Sequence, residues 1–435
     1  MITTFFSGLE TLNNFIWGHF AFVLIAGLGG YFCWKSRFFQ IRKWGAIWGS
    51  FFRFFVDRNK KKRGIHPMKA FFAGIGGCIG IGNIVGICTA VQIGGPGALF
   101  WTWIGALFGM LIQYAEVYLG LRYRVKTQNN NFDGGPMYFL PVAYRGRWVA
   151  VVVCFLLCVY GVEIFMFNVM VDSISVNWHI DLGWVVAMLL VATLGVALGG
   201  IKRVGELCSG LLPLFIFLYI GMGLWILALH IEKMPGILWQ ILEGAFTTQA
   251  AEGAFAGSSV MLALSMGLSR GAYSGDIGVG YTSVIHSESR THEFGRQSAL
   301  TIVGVFLDTF VICTMSIFLV LITGVWKEGM DVSLMVQEAL GSYFPYMSFF
   351  MPFFLFLLGY STILAYFVVG VKCAKFLSPK WGPRLYYAYA CIALPLFSFV
   401  QPEEAFLIMS ICGAFLLLFN LVGIFILRKE VEFSL

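Results

Sequence analysis

Eleven stretches of about 20 mainly apolar residues recur along the chain, and they limit its fold more than any other feature of the sequence. These stretches, called spans 1 to 11 here, lie near residues 15–34, 69–92, 98–121, 148–170, 183–200, 208–230, 237–266, 298–325, 345–371, 384–400 and 403–427. An α-helix needs roughly 20 apolar residues to cross the hydrocarbon core of a bilayer. Because 59% of the residues are hydrophobic and only 12% are charged, a soluble globule could not bury this much apolar surface. The sequence therefore predicts an all-α membrane protein of about 11 transmembrane helices.

The distribution of basic residues predicts how these spans are oriented. Cytoplasmic loops of membrane proteins carry an excess of Lys and Arg. If the loop after span 1 is cytoplasmic, all but two of the 29 basic residues fall on that side, Arg270 among them, and the exceptions are Lys233 and Lys327. The sequence thus predicts an outer N-terminus and a cytoplasmic C-terminus. The net charge of +7 then reflects membrane orientation rather than a nucleic-acid partner, and nothing in the sequence indicates the oligomeric state.

Span 2 is unusually rich in glycine. Residues 73–90 read AGIGGCIGIGNIVGICTA, with the polar Asn83 near the middle. Each glycine costs a helix up to about 1 kcal/mol relative to alanine, which is more than close helix packing would require. We interpret the segment as a broken helix whose carbonyls can coordinate a cation and whose amides can hold a carboxylate, with Asn83 supplying a further oxygen. The alternative is a small-residue packing face with Asn83 bonded to a neighbouring helix.

A second glycine-rich interruption follows five spans later. Residues 244–259 read GAFTTQAAEGAFAGSS and combine glycines with Thr, Gln and Ser side chains. Short or glycine-interrupted spans at equivalent places in two halves are typical of inverted-repeat transporters whose binding site lies at the bilayer midplane. The spacing of the two interruptions therefore suggests a duplication.

The motifs around these interruptions resemble those of a known family. They are GIGNIVGICTAVQIGGPGALFWTW (80–103), AEVYLGLRYR (115–124), GGPMY (134–138), LGGIKRVG (198–205), AFTTQAAEGAFAG (245–257), RGAYSGDIGVG (270–280), FLDTFVICT (306–314) and YSTIL (360–364). Together they resemble the alanine or glycine:cation symporter family, sodium-coupled amino-acid carriers of the bacterial inner membrane. The resemblance implies a leucine-transporter-like five-plus-five inverted repeat preceded by one extra helix. The expected units are 1–68 (extra span and basic interfacial segment), 69–230 (first repeat) and 231–435 (second repeat and cytoplasmic tail).

The resemblance also implies a set of binding residues. The Na+ ligands would be the carbonyls of Gly76, Ile79 and Leu358 and the hydroxyls of Ser361 and Thr362. Hard oxygen ligands suit a dehydrated monovalent cation, although Ser361 and Thr362 could instead bond back to their own helix. The substrate-binding residues would be Gly80, Gly82 and Asn83 for the carboxylate, Thr247, Thr248 and Gln249 for the amino group, and Glu252 and Phe255 in the wall.

Buried acids and a divergent loop raise further questions. Glu252 stands where the family usually has a small apolar residue, so it could add proton coupling, bind an amine, or be satisfied by nearby amides. Glu116 and Asp308 could pair with arginines or hydroxyls rather than act in transport, and the role of Glu163 is open. Residues 274–289 depart from the family pattern in a loop expected to gate the cytoplasmic side, where we expect His286 to be solvated.

The expected function is import of a small neutral amino acid, glycine or the L- or D-form of alanine, coupled to Na+ by alternating access. A proton-coupled carrier, or one of altered specificity, is the alternative because of Glu252. Two further alternatives are an ion channel and a sensor that binds the amino acid without transporting it. An enzyme is not expected, because HEFGR at 292–296 is not HExxH and no GxSxG is present.

Overall fold

The chain folds almost entirely into α-helices, as the apolar spans predict. The computed structural model describes residues 2–56, 64–127, 131–247 and 260–435. The first helices are α1 (Ile2–Phe15), α2 (Phe22–Ser36), α3 (Phe39–Arg42), α4 (Trp44–Val56), α5 (Pro67–Cys78), α6 (Gly86–Gly94), α7 (Ala98–Arg122), α8 (Pro136–Ala143), α9 (Trp148–Tyr160), α10 (Ile164–Trp178), α11 (Leu182–Ala197) and α12 (Gly200–Leu229). A short antiparallel ribbon joins β1 (Val125–Lys126) to β2 (Phe132–Asp133), with Val125 opposite Asp133.

The remaining helices follow α12 along the chain. They are α13 (Met234–Phe246), α14 (Val260–Ser274), α15 (Tyr281–Ser287), α16 (Phe294–Val305), α17 (Thr314–Thr323), α18 (Val332–Gly341), α19 (Met347–Leu377), α20 (Gly382–Phe397) and α21 (Pro402–Ile426). Irregular turns connect several of them, with π-helical Ile16–Ala21 and Phe306–Cys313 and 3-10 turns at Ile81–Asn83, Ile231–Lys233 and Val325–Lys327.

Within the described part of the chain, six helical stretches are long and apolar enough to cross a membrane. They are Ala98–Arg122, Trp148–Trp178, Gly200–Leu229, Phe294–Thr323, Met347–Leu377 and Glu404–Ile426. The bent pair Pro67–Cys78 and Ile81–Gly94 forms a seventh. The other predicted spans correspond to shorter or interrupted helices, such as the apolar α11 of 16 residues. The observed helices are consistent with eleven spans, and the predicted all-α membrane fold is confirmed.

Span 4 is not the continuous helix that its apolar run suggests. The helix α9 ends at Tyr160 and α10 begins at Ile164, and Glu163 between them adopts a left-handed backbone conformation with φ 52°. A left-handed residue interrupts the right-handed helix, because L-residues with a Cβ atom rarely adopt it. The amide of Phe167 then donates to the Glu163 carbonyl at 3.1 Å and restarts the helix.

The two central helices of the core are α7 and α19, most of whose surface is buried. Small residues allow the neighbouring helices to approach closely. A Cβ atom added at Gly105 of α7 would lie 2.7 Å from Leu268 Cδ2 of α14, closer than real Cβ contacts. This glycine therefore permits the α7–α14 contact, in the way that small residues generally mediate packing of membrane helices.

Candidate functional site

The predicted break in span 2 is confirmed. The helix α5 ends at Cys78, Ile79 and Gly80 are extended, and a 3-10 turn at Ile81–Asn83 precedes α6. The two halves are bent by 55°. Residues 79–83 are buried, so the peptide groups released by the break face other protein groups and not lipid. Such irregular backbone is tolerated at membrane depth only where protein or a cavity surrounds it.

Asn83 determines which carbonyls the break releases. Its side-chain Oδ1 accepts a hydrogen bond from the Gly80 amide at 2.8 Å, an amide that in a regular helix would donate to the Gly76 carbonyl. The Asn83 amide itself donates to the Gly80 carbonyl at 3.1 Å rather than to Ile79. The carbonyls of Gly76 and Ile79 are thereby left available to groups outside span 2.

Two hydroxyls of α19 meet these released carbonyls. Thr362 Oγ1 donates to the Gly76 carbonyl at 2.8 Å and lies 3.4 Å from the Ile79 carbonyl. Ser361 Oγ lies 3.5 Å from the Gly76 carbonyl and donates to the Leu358 carbonyl of its own helix at 2.8 Å. The structure thus brings together all five oxygens that the family resemblance implies as ligands. They are neutral, hard oxygen atoms in a buried position, and this donor set fits Na+.

The close approach of spans 2 and 9 depends on a missing side chain at Gly80. A Cβ atom at this position would lie 2.6 Å from Thr362 Oγ1 and 3.2 Å from Met166 Sδ of α10. Its φ of −137° is open to any residue, so the requirement for glycine is one of space. The absence of a side chain at Gly80 therefore allows the break to pack closely against both α19 and α10.

The substrate residues implied by the resemblance are only partly described by the structure. Gly82 is buried in the break, and the Ile81 and Gly82 amides open the 3-10 turn and have no acceptor within it. Thr247 follows the last turn of α13, where its hydroxyl donates to the Glu243 carbonyl at 2.8 Å. Thr248, Gln249, Glu252 and Phe255 lie outside the described residues, as does most of the predicted second interruption.

The sequence did not anticipate the partner of Asn83. Its Nδ2 donates to Asp308 Oδ1 at 2.6 Å, in the π-helical turn of span 8, and Thr309 Oγ1 donates to the other Asp308 oxygen at 2.9 Å. Ser316 Oγ donates to the Asn83 carbonyl at 2.7 Å. Asn83 thus bonds to a neighbouring helix, as the alternative interpretation has it, and its side chain also shapes the break.

The segment after α14 forms a buried polar cluster rather than an open loop. Asp276 accepts hydrogen bonds from Tyr366 OH at 2.9 Å and Thr282 Oγ1 at 2.9 Å. Glu116 accepts from the amides of Gly280 and Ser283 and from Asn420 Nδ2. Glu116 thus bonds to amides and not to the arginines considered from the sequence.

The expectation of a solvated His286 is wrong. Its side chain is only 1% exposed, and its Nδ1 lies 2.9 Å from Gln297 Nε2. Burial lowers the pKa of His286 to about 3, so the ring is neutral. The residues around His286 are polar, which is typical of a loop, but they belong to α15, which packs against α5 and α7.

Arg270 lies in a helix and not in a loop. The charge count assigned it to a cytoplasmic loop, and in the structure it belongs to α14, where its guanidinium lies 4.2 Å from the centre of the Phe406 ring in span 11. The arginine is therefore packed between helices. A count of basic residues by loop could not distinguish such a position from a loop position.

Comparisons with known proteins agree with this geometry. The sequence profile of the sodium:alanine symporter family matches residues 3–435. The sodium/alanine symporter AgcS of Methanococcus maripaludis is 31% identical over 88% of this chain and 86% of its own length. The amino-acid carrier protein AlsT of Bacillus subtilis is 27% identical over 91% of this chain and 83% of its own length.

A solved structure shares the fold. The crystal structure of MhsT in complex with L-phenylalanine superposes with a TM-score of 0.55, covering 82% of this chain and 89% of that chain at 16% sequence identity. At this identity the likeness concerns the fold alone. It confirms the leucine-transporter-like fold class that the sequence resemblance implies.

Proposed function

The chain belongs to the sodium:alanine symporter family, and we propose that it imports a small neutral amino acid, glycine or the L- or D-form of alanine, with Na+ by alternating access. It is a multi-pass membrane transporter and not an enzyme. The observation that carries the proposal is the meeting of the Gly76 and Ile79 carbonyls with Thr362 Oγ1 across two spans. Gly76 and Ile79 are far from Thr362 in sequence, so these contacts are not part of the hydrogen bonding of any single helix.

Na+ would be held between the break of span 2 and the middle of α19. The ligands would be the carbonyls of Gly76, Ile79 and Leu358 and the hydroxyls of Ser361 and Thr362. A bound cation supplies the positive charge that attracts these oxygen dipoles to one centre. The chain's own contribution is positional. The Asn83 side chain accepts from the Gly80 amide, which leaves the Gly76 carbonyl free, and the Asn83 backbone amide bonds to the Gly80 carbonyl, which leaves the Ile79 carbonyl free. Ion binding would therefore fix the position of the broken span relative to α19.

The amino acid would lie beside the same break. Its carboxylate would bind near Gly80, Gly82 and Asn83, where the free amides of the turn and the helix dipole of α6 favour an anion. Its amino group would meet oxygens of Thr247, Thr248 and Gln249, with Glu252 and Phe255 in the wall. One correction follows from the geometry: the Gly80 amide already donates to Asn83, so the carboxylate partners would be the Ile81 and Gly82 amides.

The two repeats would comprise residues 69–230 and 231–435, after an extra unit of residues 1–68. The order and lengths of the helices support this division. The third span of each proposed repeat covers 31 residues, Trp148–Trp178 and Met347–Leu377. The fourth span of each forms a helix of 16 residues, α11 in the first repeat and α20 in the second. The proposed orientation places the N-terminus outside and the C-terminus in the cytoplasm of a bacterial inner membrane.

The test is uptake of labelled alanine and glycine into proteoliposomes, with and without an inward Na+ gradient. We expect saturable accumulation only with the gradient. Accumulation driven by a pH gradient without Na+ would support the proton-coupled alternative. Currents far above carrier turnover would indicate a channel, and binding without uptake would indicate a sensor.

A further inference from the structure

Glu163 is a buried carboxylate without a hydrogen-bond partner among the described residues. It lies in the break of span 4, its side chain is fully buried, and neither Oε1 nor Oε2 has a donor. Removing an ionised carboxylate from water costs several kcal/mol unless a partner replaces the lost hydration. The position therefore calls for a cationic or hydrogen-bond-donating ligand.

Other acids in the same interior do not share this property. Asp276, Asp308 and Glu116 are equally buried, and each accepts hydrogen bonds from neutral donors of the chain. Arg270 forms no ion pair with Glu163, since its guanidinium lies over the Phe406 ring. Within the described chain, Glu163 differs from these acids because neither of its oxygens accepts a hydrogen bond.

The carboxylate lies beside the broken span 2. Met166, one helical turn after Glu163, would be 3.2 Å from a Cβ atom added at Gly80. Tyr273 of α14 is within electrostatic range of Glu163, and its ring would be 3.9 Å from a Cβ atom added at Gly82. Met166 and Tyr273 thus connect the surroundings of Glu163 to the turn whose amides are proposed to hold the substrate carboxylate.

A second polar atom near Glu163 is also unsatisfied. The Tyr273 hydroxyl is buried and has no hydrogen-bond partner among the described residues. Asp276 is within electrostatic range as well, so the surroundings of Glu163 favour a cation over an anion. The Tyr160 and Tyr273 rings, 6.4 Å apart and inclined at 76°, add aromatic surface of the kind that attracts ammonium groups.

We propose that the Glu163 carboxylate and the Tyr273 hydroxyl form a subsite for the ammonium group of the amino-acid substrate. The inference rests on the proposed function, because it assumes that an amino acid binds beside the span 2 break. An ammonium group has three donors, so Glu163 adds to the oxygens proposed at residues 247–249 and does not replace them. A charge-assisted hydrogen bond to Glu163 would select amino acids over carboxylic acids that lack the amine.

The experiment compares alanine with lactate, in which a hydroxyl replaces the ammonium group. Binding is measured on the purified full chain in saturating Na+, for the unchanged protein, Glu163→Gln, Tyr273→Phe and the control Asp172→Asn. Asp172 is an exposed acid in α10, the helix that begins directly after Glu163, so its substitution removes a carboxylate away from the break of span 4. The Na+ concentration giving half-maximal alanine binding is measured in parallel.

In Glu163→Gln we expect the alanine Kd to rise about 10- to 100-fold, the range for losing a hydrogen bond to a charged group. The lactate Kd and the Na+ concentration for half-maximal binding should stay within about threefold of the values for the unchanged protein. The control Asp172→Asn should match the unchanged protein in all three measurements. Tyr273→Phe should weaken alanine by a smaller factor in the same direction. Should Glu163→Gln fail to fold, Tyr273→Phe alone decides, because a structural role would weaken both ligands equally.

Two results would overturn the proposal: an unchanged alanine Kd in Glu163→Gln, or an equal loss for alanine and lactate. An unchanged Kd together with loss of the pH dependence of uptake would assign a proton rather than an ammonium group to Glu163. Failure of the unchanged protein to bind alanine or glycine with Na+ present would instead contradict the proposed function. The two failures are therefore distinguishable.

Discussion

Replacing Gly80 with alanine tests the steric basis of the proposed cation site. The added Cβ atom would lie 2.6 Å from Thr362 Oγ1, whereas ordinary van der Waals contact begins at 3.4 Å. The break must therefore move from α19 by about 0.8 Å, the difference between these two distances. Such a shift would lengthen the 2.8 Å contact between Thr362 Oγ1 and the Gly76 carbonyl beyond hydrogen-bonding distance.

We expect Gly80→Ala to raise the Na+ concentration for half-maximal alanine uptake at least about tenfold, since loss of one charge-assisted contact has this magnitude. The matched control is Gly86→Ala, in the same span, where nothing lies within 4 Å of the added Cβ atom. The control should keep the original Na+ dependence. Uptake in proteoliposomes across a series of Na+ concentrations is the assay, and equal Na+ dependence in both variants would refute the reasoning.

Three further predictions concern the surrounding residues. Thr362→Val should raise the Na+ concentration for half-maximal uptake about 10- to 100-fold by removing a ligand hydroxyl. The control Thr193→Val removes a buried hydroxyl that has no partner in the described chain, and it should leave the Na+ dependence unchanged in the same uptake titration. Asn83→Ala should lower the melting temperature in detergent, because the Gly80 amide and Asp308 lose a buried partner at a cost of about 2–5 kcal/mol; an unchanged melting temperature would contradict this. His286 stays neutral in the folded protein, so below pH about 6.5 the unfolded chain binds a proton that the folded chain does not. The free energy of unfolding therefore falls by up to about 1.4 kcal/mol for each unit by which the pH is lowered. His286→Asn should show a shallower fall in melting temperature between pH 7 and pH 5.5, and an identical slope would exclude this contribution.

The features that sequence patterns predicted well are those with a local signal. Span lengths follow from apolar composition, and the break of span 2 follows from clustered glycines, since both are properties of short segments. The five oxygens around Gly76 and Thr362 came from the family resemblance. No local pattern connects residues 286 positions apart, and only the fold shows them in contact.

The features that the sequence missed depend on tertiary contacts. The break of span 4 has Glu163 in the left-handed conformation, where glycine or asparagine would have been the usual signal. The expectation for His286 failed because polar residues around it satisfy one another inside the protein, through contacts such as that with Gln297. The packing of Arg270 against another helix was not predicted because charge counting assumes that basic residues lie in loops.

Binding of radioactive sodium to the purified protein tests the proposed coupling site most directly. The unchanged chain and Thr193→Val should bind Na+ saturably, and the double variant Ser361→Ala with Thr362→Val should lose that binding while retaining its elution profile in detergent. Undiminished sodium binding by the folded double variant would contradict a cation site between the break of span 2 and α19.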